Sequence, residues 1–328
     1  MTLRAQYPVT WVRGEAIDPR AKWFTAIYEE ISKRIPTRLI RLIHVPKPSI
    51  GHPLGRLQMR MFERPGTVTH IPTNAYAYLL RGRSRNPTVI SCYDLSLRWT
   101  IGPLHLADRV LVSARHVKEE LETLTTLPRE PEIVYLAVPP TYRASQVARE
   151  PNRILFVGTE QARKNVEGLF RIFARVSRER PATLVKIGKR RPERARLLAL
   201  AHELGIEDRV IWRDFVGEEE LVRLYQTSTL AVVPSFLEGF SMPCLEAMST
   251  GCPLIASNLT AIPEIVADGG LLLDPRDEDA WVEAILRVLE NPAFAEDLSR
   301  RGLERSRAFS ARRSADQILR IYEEVSRG

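Results

Sequence analysis

Short apolar runs alternate with helical stretches along almost the whole chain, and this alternation limits the possible folds more than any other feature. In the first half, Val9–Val12, Leu39–Val45, Val68–Ile71, Thr88–Cys92, Val110–Ser113 and Ile133–Leu136 read as short buried strands. Between them, Trp23, Phe24, Ile27, Tyr28 and Ile31 recur at helical spacing across Trp23–Lys33. Leu54–Phe62 and Val117–Leu124 carry helical patterns as well. Strands separated by helices pair in parallel, so β-α-β units are expected.

The pattern breaks at Val138-Pro139-Pro140-Thr141-Tyr142-Arg143 and stays polar up to Pro151. Adjacent prolines and lost periodicity mark a linker, with the domain boundary expected near residue 148. The same grammar then restarts. Strands are expected at Arg153–Val157, Ala182–Ile187, Val210–Trp212, Leu230–Val233 and Leu254–Ser257. Helices are expected at Val166–Arg178, Arg194–Leu204, Glu218–Gln226, around Leu245–Ser249, at Ala280–Leu289 and at Phe294–Ser306. A final amphipathic helix, 311–326, is a candidate to pack back on the first domain. The expected fold is α/β, with two doubly wound Rossmann-like domains: residues 1–148 and 149–310. Ligands of such sheets bind beyond the carboxyl ends of the strands, so the expected site is a cleft between the domains.

Several function classes drop out. No stretch of about 18 apolar residues is present, as a membrane-spanning helix requires. Residues Met1–Pro8 lack the apolar run of a secretory signal, which points to the cytoplasm. Three cysteines, Cys92, Cys244 and Cys252, make no disulfide framework, and no Cys-x-x-Cys pair suggests structural zinc. The net charge of +8 is uneven. Residues 1–150 hold 22 basic against 13 acidic side chains, whereas 151–328 hold 26 against 27. The first half therefore suits an anionic partner. Its clustered charges include Arg34, Arg38, Arg41, Arg81, Arg83 and Arg85, and nucleic acid, a phospholipid surface or a phosphate-bearing substrate would each answer them. Nucleic acid is not expected, because no basic–aromatic interleaving or binding module is present.

The richest stretch is Pro234–Asn258. Glu238 falls in a loop after a buried strand, with Gly239 beside it to permit positive φ and close backbone approach. Pro243 suits the first turn of a helix, and Glu246 lies one turn in. The N–H groups around Ser241–Leu245 would form the positive end of that helix, a ready anion site. The loop thus offers backbone donors for phosphate and a carboxylate on either side for sugar hydroxyls. Asp277-Glu278-Asp279 sits at a helix start and reads as capping rather than metal binding.

The string E-G-F-S-M-P-C-L-E-A-M-S-T-G-C-P-L, Glu238–Leu254, resembles the E-x7-E signature of retaining glycosyltransferases of the GT-B fold, family 4, whose usual form is E-G-F-G-x-P-x-x-E-A-M-A-x-G-x-P-V. Ile154–Gly158 followed by Arg163-Lys164-Asn165 is similar to that family's strand, glycine and R-K-N element. Asp208–Ile211, Pro263–Val266, Gly269–Leu273 and Pro275–Asn291 resemble further family segments, so the likeness runs over roughly 150–310. The resemblance implies a hexose moved from a nucleotide-sugar, of the UDP or GDP type, to a glycan or lipid-linked acceptor, with retained configuration and no metal or cofactor. Donor binding falls to residues 149–310 and acceptor binding to residues 1–148. Glu238 would face the transferred sugar and Glu246 the ribose. Arg163 and Lys164 would neutralise the leaving diphosphate. Gly158 and the Gly239, Phe240, Ser241, Met242, Pro243 and Leu245 segment would line the donor.

The first half departs further from the family. Only Gly14 stands where a Gly-Gly loop is usual. Tyr93 stands where many members have His, although Asp94 is kept in Val89–Leu95. Ala107–Ser113 again resembles the family. The departures keep open a non-catalytic nucleotide-sugar or glycan-binding protein, and the shared GT-B shape keeps open a sugar-nucleotide epimerase.

Overall fold

The computed structural model describes residues 9–14, 22–42, 53, 57, 59–61, 63–82, 84, 86–93, 95–96 and 98–327; at 12–14, 22–24 and 40–42 it describes the backbone alone. Two compact units divide the chain, residues 1–139 with 309–328, and residues 140–308.

The first unit contains β1 (Val9–Gly14), α1 (Lys22–Ser32), β2 (Thr37–Leu42), β3 (Val68–Ile71), β4 (Thr88–Cys92), β5 (Arg109–Val112), α2 (Arg115–Leu124) and β6 (Glu132–Ile133). The strands form one parallel sheet in the order β2-β1-β3-β4-β5-β6. All side chains of β3 and β4 are buried. Parallel strands covered on both faces read as continuous apolar runs, which is why these segments stood out without alternation.

In the second unit come β7 (Glu150–Val157), α3 (Val166–Glu179), β8 (Thr183–Ile187), α4 (Arg194–Glu203), β9 (Val210–Arg213), α5 (Glu218–Thr227), β10 (Ser228–Val233), α6 (Met242–Ser249), β11 (Leu254–Ser257), α7 (Ile262–Val266), β12 (Leu271–Leu273), α8 (Glu278–Glu290) and α9 (Pro292–Ser306). The sheet order is β12-β11-β10-β7-β8-β9, all parallel. Counted from β7 this is the doubly wound order 3-2-1-4-5-6, whose direction of winding reverses between β7 and β10. Ile154, Phe156, Leu184, Leu230, Val232 and Ile255 point to one face, where they meet Phe170 and Phe173 of α3 and Trp281 and Ile285 of α8. Alternate residues Leu155, Val185, Ala231 and Ala256 are buried toward the opposite face.

The last helix, α10 (Ala311–Arg327), belongs to the first unit. Ala315, Ile318, Ile321, Tyr322 and Val325 recur at three- and four-residue steps and pack with Val9, Trp11, Ile27, Ile31 and Leu111. Ser314 Oγ donates to Tyr135 O at 2.6 Å, and Gln317 Nε2 to Ile133 O at 2.7 Å.

The division at 139/140 falls before the boundary expected near 148. The segment read as a linker is tied into the second unit. Tyr142 is buried, Gln226 Nε2 donates to Arg143 O at 2.8 Å, and Arg149 donates to Ser228 O at 3.1 Å and Gly251 O at 2.6 Å. Side-chain anchors hold this stretch without regular structure, so periodicity could not reveal it. Two short elements, α7 and β12, were also absent from the sequence reading; at five and three residues they show no full period.

Candidate functional site

The loops that leave β7 and β10 flank the point where the second sheet reverses its winding. Here the structure brings together Arg163, Lys164 and Glu238. Lys164 and Glu238 are buried, while Arg163 remains 31% exposed at its side chain. Lys164 Nζ donates to Glu238 Oε1 at 2.5 Å, Ser235 Oγ donates to the same oxygen at 2.8 Å, and Arg163 Nη1 lies 3.6 Å from Oε2. The two loops are also joined through backbone. Phe236 N–H donates to Arg163 O at 2.8 Å, and Arg163 Nη1 donates to Leu237 O at 3.1 Å. A third loop reaches Glu238 from beyond β11: Thr260 Oγ1 accepts its backbone N–H at 3.1 Å.

Local sequence explains the placement of the two cations. Asn165 takes a left-handed conformation, φ 53, which Asn tolerates, and caps α3 by accepting from Gly168 N–H at 3.3 Å. Its Nδ2 donates to Pro275 O at 3.1 Å. A Cβ at Gly168 would stand 2.5 Å from Asn165 Oδ1, so the cap requires that glycine. Gly158 follows β7, its N–H donating to Ile187 O at 2.8 Å.

Glu246 lies one turn into α6 and is buried. Tyr225 OH donates to its Oε2 at 2.9 Å, and the Tyr142 hydroxyl is a second hydrogen-bond partner. Burial, then the Glu246 charge, raises both phenols well above the ordinary tyrosine value. Both therefore stay protonated donors. A carboxylate has about four acceptor positions, and the two tyrosines address two of them.

The backbone around α6 corrects two expectations. The left-handed step falls on Ser241 (φ 78, ψ 70), whereas Gly239 is not among the glycines of positive φ. The amide donors are also fewer than expected. Cys244 and Leu245 N–H bond back to Ser241 O at 3.1 and 3.4 Å, and Pro243 has no N–H. The open end of α6 is therefore the amides of Ser241 and Met242. Phe240 and Leu245 are buried, so their side chains serve packing; Met242 and Pro243 are half-buried.

Further along the same sheet edge, Glu160 accepts from Lys186 Nζ at 2.6 Å, Arg194 Nε at 2.5 Å and Arg191 N–H at 2.8 Å. Arg194 also donates to Asp214 at 2.6 Å and stacks 4.3 Å over Trp212. Burial opposes ionisation of Glu160, but its hydrogen bonds from Arg194, Lys186 and the Arg191 amide outweigh that and hold its carboxyl below the usual range. The acidic run after Pro275 is spent on structure. Asp277 caps α8 by accepting from Ala280 N–H at 3.0 Å, Glu278 pairs with Arg171 at 2.7 Å and Asp279 with Arg175 at 2.6 Å. Among the described residues, no three His, Cys, Asp or Glu side chains group as metal ligands would.

In the first unit, Gly14 is the last residue of β1, in register with Leu42. Tyr93 follows β4 at the carboxyl edge of its sheet, half-buried, with Ser91 as hydrogen-bond partner. Behind it, His70 lies between Tyr322 OH at 2.5 Å and Ser91 Oγ at 2.9 Å. Asp94 lies outside the described residues. Of the basic patch, Arg34 pairs with Glu30 and Asp316, Arg81 is exposed, and the side chains of Arg41, Arg83 and Arg85 lie outside the description.

Residues 140–305 match the family described as Glycosyl transferases group 1. The chain belongs to that family. Among curated relatives of this glycosyltransferase family, the O-antigen chain mannosyltransferase B of Escherichia coli is 36% identical over 171 residues, 52% of this chain and 45% of that protein. The chain spans about half the length of the curated relatives it matches. Sucrose-phosphate synthase from Thermosynechococcus elongatus superimposes with a TM-score of 0.83 at 20% identity, covering 98% of this chain and 99% of that one. HepE of Anabaena, solved with UDP and glucose, gives 0.83 at 16% identity, covering 97% and 100%. These likenesses show the fold: each unit is a Rossmann-like α/β domain of the GT-B type.

Four residues of the constellation escaped the sequence reading: Ser235, Thr260, Tyr225 and Tyr142. Ser235 lies inside the stretch Pro234–Asn258 and Thr260 just ahead of Pro263-Glu264. The tyrosines carried no local signal, since their roles depend on α5 and the segment at 140–149 meeting α6.

Proposed function

We propose that the chain is a retaining glycosyltransferase that moves a hexose from a nucleotide-sugar to a glycan or lipid-linked acceptor. The observation that carries this reading is the Arg163–Lys164–Glu238 group at the winding reversal of the second sheet, with Glu246 one turn into the next helix. The mannosyltransferase relative favours mannose or a similar hexose as the sugar.

In this reading, the donor's diphosphate takes Arg163 and Lys164 together with the amides of Ser241 and Met242. The bond from the anomeric carbon to the leaving phosphate oxygen breaks, and negative charge grows on that oxygen. Arg by its fork and Lys as a point charge hold the growing charge more tightly than the ground state, which lowers the barrier. The acceptor hydroxyl bonds to the anomeric carbon on the face the phosphate leaves, and its proton passes to that phosphate. The two cations supply the neutralisation that a divalent ion would otherwise provide. Glu238 accepts from hydroxyls of the transferred sugar, and Glu246 from the ribose diol. Tyr93 stands in the first unit as the hydroxyl in place of the family's His. Arg81 and its neighbours direct the first unit to an anionic membrane face; flotation with anionic liposomes at low salt tests this, and absence of binding removes it.

Thermal shift against UDP, GDP, ADP, dTDP and CMP tests the donor site, with wild type and Glu246→Ala side by side. A ligand that binds only the folded state raises the melting temperature. One nucleotide is expected to give a clear shift that Glu246→Ala weakens. No shift with any of them overturns the reading.

A further inference from the structure

Five non-glycine residues among those described have positive φ: Asn152, Asn165, Ser241, Thr260 and Ala267. Three of them surround Glu238. Asn165 follows Lys164, Ser241 is three residues beyond Glu238, and Thr260 bonds the Glu238 amide. Asn adopts this conformation readily and Ser at modest cost. Thr260 is the anomaly, because a β-branched side chain at φ 57 is a steric outlier. Glycine would take that backbone without strain, but glycine has no hydroxyl.

We propose that Thr260 is a positioning residue for Glu238, kept in a left-handed conformation so that its hydroxyl pins the loop after β10 from the loop after β11. The Glu238 carboxylate is already held by Ser235 and Lys164, and Thr260 adds a hold on its backbone from beyond β11. With Thr260 Oγ1 at 3.1 Å, the peptide before Glu238 cannot rotate without breaking that bond. The loop after β11 is itself braced. Asn258 N–H donates to Leu273 O at 2.8 Å and Leu259 N–H to Ser257 Oγ at 3.2 Å. The hydroxyl therefore hangs from a fixed frame, and the strain at Thr260 is retained for what it holds. Strained backbone concentrates at functional sites for this reason. The inference rests on the reading of Glu238 as the group that faces the transferred sugar.

Thr260→Gly and Thr260→Ser separate positioning from plain structure. A residue with only a structural role loses stability and activity together. Here the two should part. Thr260→Gly should melt near the wild-type temperature, because relief of strain and loss of the hydrogen bond roughly offset, and should bind the nucleoside diphosphate found by thermal shift within about twofold. Its kcat for transfer from GDP- or UDP-hexose should fall about tenfold, the equivalent of one hydrogen bond. Thr260→Ser keeps the hydroxyl and should return kcat to within about threefold of wild type. Hydrogen exchange at the Glu238 amide gives a readout that needs no transfer assay. It should quicken about tenfold in Thr260→Gly and stay near wild type in Thr260→Ser. If wild type shows no transfer with any donor, the functional reading fails, and exchange alone then decides whether Thr260 holds the loop. Unchanged exchange in Thr260→Gly overturns the proposal. So does a Thr260→Gly kcat equal to wild type, or a Thr260→Ser variant as slow as Thr260→Gly.

Discussion

The ammonium of Lys164 and the carboxylate of Glu238 lie 2.5 Å apart, buried, although 74 residues separate them in the chain. Removing one partner of such a pair leaves an uncompensated buried charge, a loss of roughly 3–5 kcal/mol. Arg163, at 3.6 Å and partly exposed, compensates only in part. Lys164→Met is therefore expected to destabilise the second unit by about 3 kcal/mol in urea unfolding. The double variant Lys164→Met/Glu238→Gln should regain most of that stability, because neither charge remains. Transfer activity should stay lost in both, by about a hundredfold or more. A double variant as active as wild type would remove both residues from the reaction.

Tyr225 and Glu246 make the second testable contact. Tyr225→Phe deletes one hydroxyl at 2.9 Å and leaves a buried carboxylate with one donor fewer. A hydrogen bond to a charged group is worth about 1.5–3 kcal/mol. Calorimetric titration should show the nucleoside diphosphate bound about tenfold more weakly, with the loss in affinity larger than any loss in kcat. An unchanged dissociation constant would show that Tyr225 does not shape the diol site.

Acid should unfold the two units in different pH ranges. Burial pushes His70 in the first unit down to about 3 from its ordinary 6.5. The unfolded chain then binds a proton that the folded unit refuses, so stability falls as pH drops from 6.5 toward 3, by up to about 1.4 kcal/mol per pH unit. Glu160 in the second unit is held below its ordinary 4.5. Its contribution is complete above that value and is lost as pH falls below it. Urea unfolding followed at several pH values should show the first unit weakening below pH 6.5 and the second only below 4.5. His70→Asn should flatten the first slope and leave the second unchanged.

Ser241 holds φ 78 where the family string has Gly. A left-handed L-residue is strained by about 1–2 kcal/mol, and glycine adds about 0.5–1 kcal/mol of unfolded-state entropy. The first effect is larger, so Ser241→Gly should stabilise the chain by about 0.5–1 kcal/mol, read as a higher urea midpoint at unchanged m-value. A lower midpoint would mean that the 3.1 Å contact of Ser241 Oγ with Cys244 Sγ outweighs the strain.

Much of this was legible in one dimension. The buried strands announced themselves as apolar runs because parallel strands are covered on both faces. Glu238, Glu246, Arg163 and Lys164 were singled out from local strings. Ser235, Thr260, Tyr225 and Tyr142 were not, because a hydroxyl becomes a site residue only through what it meets across loops. Gly239 and Ser241 show the limit within a single loop. Composition said which residue could take positive φ most cheaply, and the path of the chain into α6 put that step two residues later.

By itself the sequence determined the two α/β units, the order of their elements and the residue types of the loop after β10. Those depend on periodicity, turn chemistry and short strings, all of which act over a few residues. Tertiary structure alone decided that α10 returns to the first unit, that the proline-marked segment belongs to the second, and that Lys164 and Ser235 converge on one oxygen of Glu238. The last follows from the reversal of strand order between β7 and β10, which places two distant loops side by side; the first two follow from the contacts α10 makes with the first unit and from the anchors at Arg143 and Arg149, and no local pattern encodes which elements become neighbours.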